Sequence, residues 1–197
     1  SGKVDKINSG SLELVSLAAS SQNYYTSSPL GRYLTQQDIL TRLQDRIRYV
    51  ESSDLYFFYR TDSDELLTAL SNRASTGSSY FWNQYLMLPP TQPANTWFSV
   101  TCNGETWLMC YYNVSQVRVG AAVRAKTLLQ SLYADTGLVQ DSGFALAGLD
   151  GTIVYSSQPD LMACGTSLAG HIPASLIVES HTVPEVGTLL LFRPSSD

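Results

Sequence analysis

Apolar positions recur every three or four residues at the start of the chain. The seam consists of Val4, Ile7, Ser11, Leu14 and Ala18. This spacing predicts a helix that packs against one neighbour. Two interpretations are open: an amphipathic helix that lies on its own domain, or a stalk through which two copies of the chain form a homodimer.

A second helix is predicted from Thr35 to Val50, after a break at residues 27–31, which carry Pro29 and Gly31. Thr35 is the expected N-cap residue. The apolar stripe of this helix is Ile39, Leu40, Leu43, Ile47 and Val50. Its outer arginines, Arg42, Arg46 and Arg48, alternate with acidic residues, which favours a solvated face over an anion site.

From residue 54 the pattern changes to that of strands. Residues 55–60 form an aromatic-rich run that ends in a turn-prone segment, and residues 65–70 are expected to return as its hairpin partner. A polar loop then leads to residues 80–86, which are predicted to form a short helix that ends before Pro89.

The dipeptide Asn103-Gly104 predicts a tight hairpin between residues 97–102 and 105–112, because a type I′ turn needs positive φ at both central positions. A two-residue loop places Cys102 opposite Glu105, so Cys102 and Cys110 are too far apart for a disulfide. The three cysteines, which include Cys164, are expected to pack as small hydrophobic side chains.

The strand pattern then occurs a second time, in reduced form. Residues 117–123 predict a strand that runs into a helix at 126–133. After it, Asp150-Gly151 marks a hairpin between residues 143–149 and 152–157. Two final strands are predicted at 175–183 and 187–192.

Charge and composition narrow the class of protein. The chain carries 12 Lys and Arg against 17 Asp and Glu, a formal net charge of −5. After Lys126 there are seven acidic residues and one base, Arg193, which disfavours nucleic acid as a partner. A surface with 26 Ser, 12 Tyr and only three Lys indicates an extracytoplasmic location.

The order of the predicted elements resembles a known family. A helix end followed by an aromatic strand at 47–60, the segment 80–86, the strand 117–123 and the Asp-Gly hairpin at 143–157 are similar to the double Cache sensor domain, which contains two PAS-like units. The resemblance covers nearly the whole chain. It extends to the extracytoplasmic parts of Gram-positive histidine kinases and of membrane-anchored AraC-type regulators.

The resemblance implies an α+β fold, with a long N-terminal helix and two PAS-like antiparallel sheets, the second of them reduced. It divides the chain into a helical region at 1–50, a larger membrane-distal unit at 51–134 and a smaller membrane-proximal unit at 135–197. The domain would lie outside the membrane between two transmembrane helices that are not part of this sequence. It would bind a small molecule or an extracellular protein and transmit a displacement inward, while a histidine kinase could belong to the full-length receptor.

Ligands of such domains bind between the sheet and its covering elements, in pockets lined by aromatic side chains and a few polar groups. We expect eight side chains to form this site: Tyr56, Phe58, Arg60, Trp82, Tyr85, Trp97, Cys110 and Tyr112. The alternative is that these rings form an ordinary aromatic core. Arg60 either pairs with a nearby aspartate or holds an anionic group of the ligand.

Two other functions are open. The chain could be a protein-interaction module that binds a partner along the helix seam and has no small-molecule pocket. It could also be a small secreted hydrolase that uses Cys164 and His171. The spacing of these two residues matches no catalytic or metal motif, so no catalytic residue, metal ligand or cofactor is predicted.

Overall fold

The computed structural model describes residues 2–21, 28–51, 54–61, 66–71, 93–102, 104–135, 142–170 and 172–195. The chain divides into two compact units. The first comprises Ser1–Thr96 and Met109–Val123, and the second comprises Trp97–Leu108 and Arg124–Asp197. The three-part division at residues 50 and 134 stays a prediction. None of the helices in these ranges is both long and apolar enough to cross a membrane.

The first unit begins with helices α1 (Gly2–Ser20) and α2 (Pro29–Val50). The expected cap of α2 at Thr35 is wrong, because α2 starts earlier, with Ser28 as its N-cap residue. The Ser28 hydroxyl oxygen accepts a hydrogen bond from the Gly31 backbone N–H at 3.1 Å. Proline lacks an N–H and is tolerated in the first helical turn, so Pro29 begins the helix where a break was expected.

The apolar seam of α1 is buried within a single chain. Val4, Ile7 and Leu14 are buried, and α1 packs against α2. The Arg46 guanidinium contacts the Glu13 carboxylate across the two helices at 2.9 Å. These contacts confirm the interpretation of α1 as an amphipathic helix on its own domain, whereas homodimerisation stays a prediction. Arg42 and Arg48 form exposed pairs within α2, as a solvated face requires.

The larger sheet contains the five predicted strands. They are β1 (Leu55–Arg60), β2 (Leu66–Leu70), β3 (Phe98–Cys102), β4 (Glu105–Val114) and β5 (Val117–Arg124). Their order across the sheet is β2-β1-β5-β4-β3. Strand β1 lies antiparallel to both β2 and β5, so the predicted hairpin between residues 55 and 70 is confirmed.

Strand β1 is buried on both faces, and α1 covers one of them. A Cβ atom added at Gly10 of α1 would lie 2.6 Å from the Phe57 ring, so this ring fits against the helix only where the helix has no side chain. Because side chains alternate along a strand, Phe57 faces the helices and Phe58 faces the other way.

The second unit contains helix α3 (Ala125–Asp135) and a four-stranded antiparallel sheet. Its strands are β6 (Gly143–Ala147), β7 (Ile153–Ser156), β8 (Leu176–Val183) and β9 (Gly187–Pro194), in the order β7-β6-β9-β8. Gly151 has a φ of +83°, which the predicted Asp-Gly turn needs. Two antiparallel sheets, the second smaller, confirm the predicted fold class. The short helix expected at 80–86 lies outside the described residues.

We expect Gly120→Ala to destabilise the first unit by about 1–3 kcal/mol, because overpacking of a filled interior costs this much. The added Cβ would overlap the Cys110 carbonyl oxygen and lie 2.9 Å from Phe58 Cζ. Gly2→Ala is the matched control, since a Cβ there would meet no atom within 4 Å. Urea denaturation measures both variants, and equal stability of the two would contradict this packing.

Candidate functional site

Two arginines lie directly opposite each other on the face of the sheet that points away from α1 and α2. In the pairing of β1 with β5, Arg60 lies opposite Arg118 and Phe58 lies opposite Gly120. The register is continuous along both strands, so these four residues share one face. Both arginine side chains are half-buried.

A large residue faces a small one at each step along this part of the face. Phe58 lies opposite Gly120, and Tyr56 lies opposite Ala122. Phe58 is fully buried and Tyr56 is 4% exposed. The two rings therefore form a packed apolar floor beside the two half-buried arginines.

Tyr111 completes the same face from strand β4. The Arg118 guanidinium carbon lies 5.0 Å from the centre of the Tyr111 ring. A guanidinium at this distance from an aromatic face is held by a cation–π interaction, which is worth more as water is excluded. Stacking thus fixes the orientation of the Arg118 guanidinium on this face.

The structure brings only part of the predicted site together. Tyr56, Phe58 and Arg60 share one face of β1. Cys110 and Tyr112 flank Tyr111 along β4, so strand alternation directs them to the opposite face. Cys110 is buried, as expected of a small hydrophobic side chain.

Three further residues were predicted for the site. Trp97 is buried and belongs to the second unit. Trp82 and Tyr85 lie outside the described residues. Of the two residues named for the hydrolase alternative, His171 also lies outside the described residues, so this alternative stays a prediction.

Sequence reasoning missed Arg118 and Tyr111. The alternation in residues 117–124 placed Arg118, Gly120 and Ala122 on one side of β5, but it did not reveal which β1 residues they meet. A usable signal was the complementarity of size: glycine and alanine on one strand leave room for phenylalanine and tyrosine on its neighbour. That signal favours the register that also brings Arg118 to Arg60.

The second unit contains a cavity of about 290 Å³. Its charged lining residues are Glu105, Arg124 and Lys126, and its polar ones include Thr106, Tyr155, Ser156 and Cys164. The Arg124 guanidinium contacts the Glu105 carboxylate at 2.7 Å and lies over the Trp107 ring at 5.5 Å. Cys164 is exposed, so its expected packing as a small hydrophobic side chain is wrong.

No protein-family model and no curated protein matches this chain. Among solved structures, the periplasmic sensory domain of the Campylobacter jejuni chemoreceptor Tlp1 is similar with a TM-score of 0.50 and 8% identity, over 98% of this chain and 87% of that one. The sensor domain of the Vibrio cholerae histidine kinase DctB gives a TM-score of 0.45 and 13% identity, over 100% and 96% of the two chains. The ligand-binding domain of the Pseudomonas fluorescens chemoreceptor CtaA in complex with L-valine gives 0.46 and 13%, over 98% and 91%. The similarity to Tlp1 shows that this chain has the fold of a periplasmic sensory domain, as the resemblance to Cache domains implied.

We expect alkaline pH to weaken the folded state through Tyr155. Burial raises the pKa of Tyr155 above its ordinary value of 10.0, and the nearby Cys164 and Glu105 raise it further. A raised pKa in the folded state contributes stability that is present below the ordinary pKa and lost as pH rises through the folded value. Unfolding midpoints in urea should therefore fall more steeply with rising pH for the natural chain than for Tyr155→Phe.

The exposed Tyr33 of α2 provides the control for this pH experiment. Tyr33→Phe should retain the pH dependence of the natural chain. Identical alkaline slopes for the natural chain and Tyr155→Phe would contradict a burial-raised pKa at this position.

Proposed function

We propose that this chain is the extracytoplasmic ligand-sensing domain of a bacterial membrane receptor, and that a small organic anion binds over the arginine face of its larger sheet. The fold supports a sensory role because Tlp1, a chemoreceptor, uses it as a periplasmic sensory domain. Fold alone does not determine function, so the proposal also depends on the chemistry of the face itself.

The opposed pair Arg60 and Arg118 is the observation that carries this proposal. An anion that lies between two like charges directly opposite each other in a sheet is attracted by both of them. Two planar guanidiniums also match the paired oxygens of a carboxylate better than ammonium groups do.

The packing of β1 suggests how binding could reach the helices of the same unit. Phe58 and Arg60 belong to the ligand face, whereas the intervening strand positions face the helices. Phe57 contacts α1 at Gly10, where no side chain separates ring and helix. A ligand that prefers one placement of β1 therefore also prefers one packing of α1, and a coupling of about 1–3 kcal/mol would give a 5- to 150-fold bias.

The second candidate function is a protein-interaction module, and one surface favours it. Leu30, Tyr33 and Leu34, on the first turns of α2, are 67%, 55% and 58% exposed. A contiguous apolar patch of this kind is typical of a protein contact. This candidate predicts that no small anion binds at the arginine face.

We expect at least one small carboxylate, from a panel of mono- and dicarboxylates, to raise the thermal unfolding midpoint of the chain. A ligand at a hundred times its Kd stabilises the folded state by about 2.7 kcal/mol. Arg118→Gln should weaken that binding by about tenfold or more, since a charged hydrogen bond is worth about 1.5–3 kcal/mol. Arg60→Gln should do the same.

Arg48→Gln, an exposed arginine of α2, removes the same charge away from the face and should leave the shift unchanged. If no carboxylate shifts the midpoint, the interaction-module candidate is favoured. If Arg118→Gln and Arg60→Gln bind as the natural chain does, the arginine face is not the ligand site.

A further inference from the structure

The second unit is acidic, yet its basic side chains gather at one cavity. Residues 97–108 and 124–197 contain three basic residues against eight acidic ones. Two of the three, Arg124 and Lys126, line the cavity of about 290 Å³. Among the acidic residues that the structure describes, only Glu105 lines it, and this carboxylate is paired with Arg124 at 2.7 Å. The lining therefore keeps one excess positive charge in a unit that is otherwise negative.

Hydroxyl groups surround this charge, and part of their hydrogen-bonding capacity is already used. Thr106 Oγ1 donates to the Val154 carbonyl at 3.3 Å, so its oxygen can still accept. Ser156 Oγ accepts from the Gln158 backbone N–H at 3.2 Å, so its proton can still be donated. The Tyr155 hydroxyl is protonated at neutral pH, since its ordinary pKa is 10.0 and burial raises it further, so it can donate a hydrogen bond. The cavity therefore holds hydroxyl groups that can donate hydrogen bonds and one hydroxyl oxygen that can accept one, all of them beside a positively charged side chain.

We propose that the second unit has a ligand site of its own in this cavity, and that the site binds a small hydroxylated carboxylate. The volume lies at the lower end of ligand pockets, which suits a molecule of a few carbon atoms. Lys126 receives the carboxylate, and Thr106, Tyr155 and Ser156 receive the hydroxyl groups. An amino acid fits worse, because its ammonium group would lie near Lys126 while Glu105 is already held by Arg124.

This site shares no residue with the arginine face proposed above. All of its lining residues belong to the second unit, whereas Arg60 and Arg118 belong to the first. A negative result for ligand binding by the first unit would therefore not contradict a ligand site in this cavity. It would make the domain a receptor with two ligand inputs.

Cys164 supplies a local reporter of occupancy. This cysteine is a free, exposed thiol that lines the cavity. Iodoacetamide alkylates such a thiol when the sulfur displaces iodide, and a bound ligand that covers Cys164 slows this reaction. Peptide mass spectrometry follows the Cys164 peptide separately from those of the other two cysteines. The measurement is therefore specific to this cavity even if the same probe also binds elsewhere on the chain.

Three probes with similar skeletons test the chemistry of the ligand. L-Glycerate should slow alkylation of Cys164 by about tenfold at ten times its Kd, because protection grows with the ratio of free ligand to Kd. Glycerol lacks the carboxylate, and L-serine carries an ammonium group in place of the 2-hydroxyl group. Neither should slow the reaction at the same concentration. Protection by glycerol or L-serine equal to that by L-glycerate, or none by L-glycerate, would overturn the proposal.

Two variants then test the role of the cation. Lys126→Gln replaces an exposed side chain, so the fold should survive, and protection by L-glycerate should be lost at the same concentration. Arg193→Gln removes a positive charge from an exposed site of the same unit outside the cavity and should retain protection. Retained protection in Lys126→Gln would overturn the assigned role of Lys126. Arg118→Gln should leave Cys164 protection unchanged, which separates this site from the arginine face.

Discussion

The first unit depends on a strand that is packed from both sides against backbone that carries no side chain. Phe57 on one face of β1 meets Gly10 of α1, and Phe58 on the other face meets Gly120 of β5. Added methyl groups at either glycine would lie within 3 Å of a ring carbon. Protein interiors are packed at the density of organic crystals, so such contacts leave little freedom for β1 to move alone. A displacement of β1 that begins on one face therefore also displaces the side chains on the other face.

The packing of β1 also determines where the charged residues of the sheet lie. Arg60 ends the buried part of β1, and the register that seats Phe58 over Gly120 also sets Arg60 opposite Arg118. The positive charge is thus a consequence of aromatic packing two residues away. Stacking on Tyr111 orients Arg118, and preorganisation of this kind lowers the entropic cost of binding an anion at the proposed site. A preorganised cationic edge beside a packed floor suits a small anion better than a large apolar molecule.

Local patterns predicted the elements well, because helix periodicity, aromatic strands and Asn-Gly or Asp-Gly turns are decided within a few residues. The start of α2 was missed because Pro29 acts as a helix breaker in the interior of a helix but as a starter in its first turn. Cys164 was misjudged because composition cannot tell a buried thiol from one that lines a cavity. Both errors arose because the position of a residue in the fold, and not the intrinsic preference of its residue type, decided the outcome.

The candidate sites were harder to predict, because each depends on residues far apart in sequence. Arg60 of β1 meets Arg118 of β5 through strand pairing, and Glu105 of β4 contacts Arg124 of β5.

The most direct test of the account is hydrogen–deuterium exchange of the chain with and without the carboxylate that stabilises it most. We predict slower exchange in β1 and β5 together with a change in α1. Protection confined to the strands, with α1 unaffected, would contradict the coupling through Phe57.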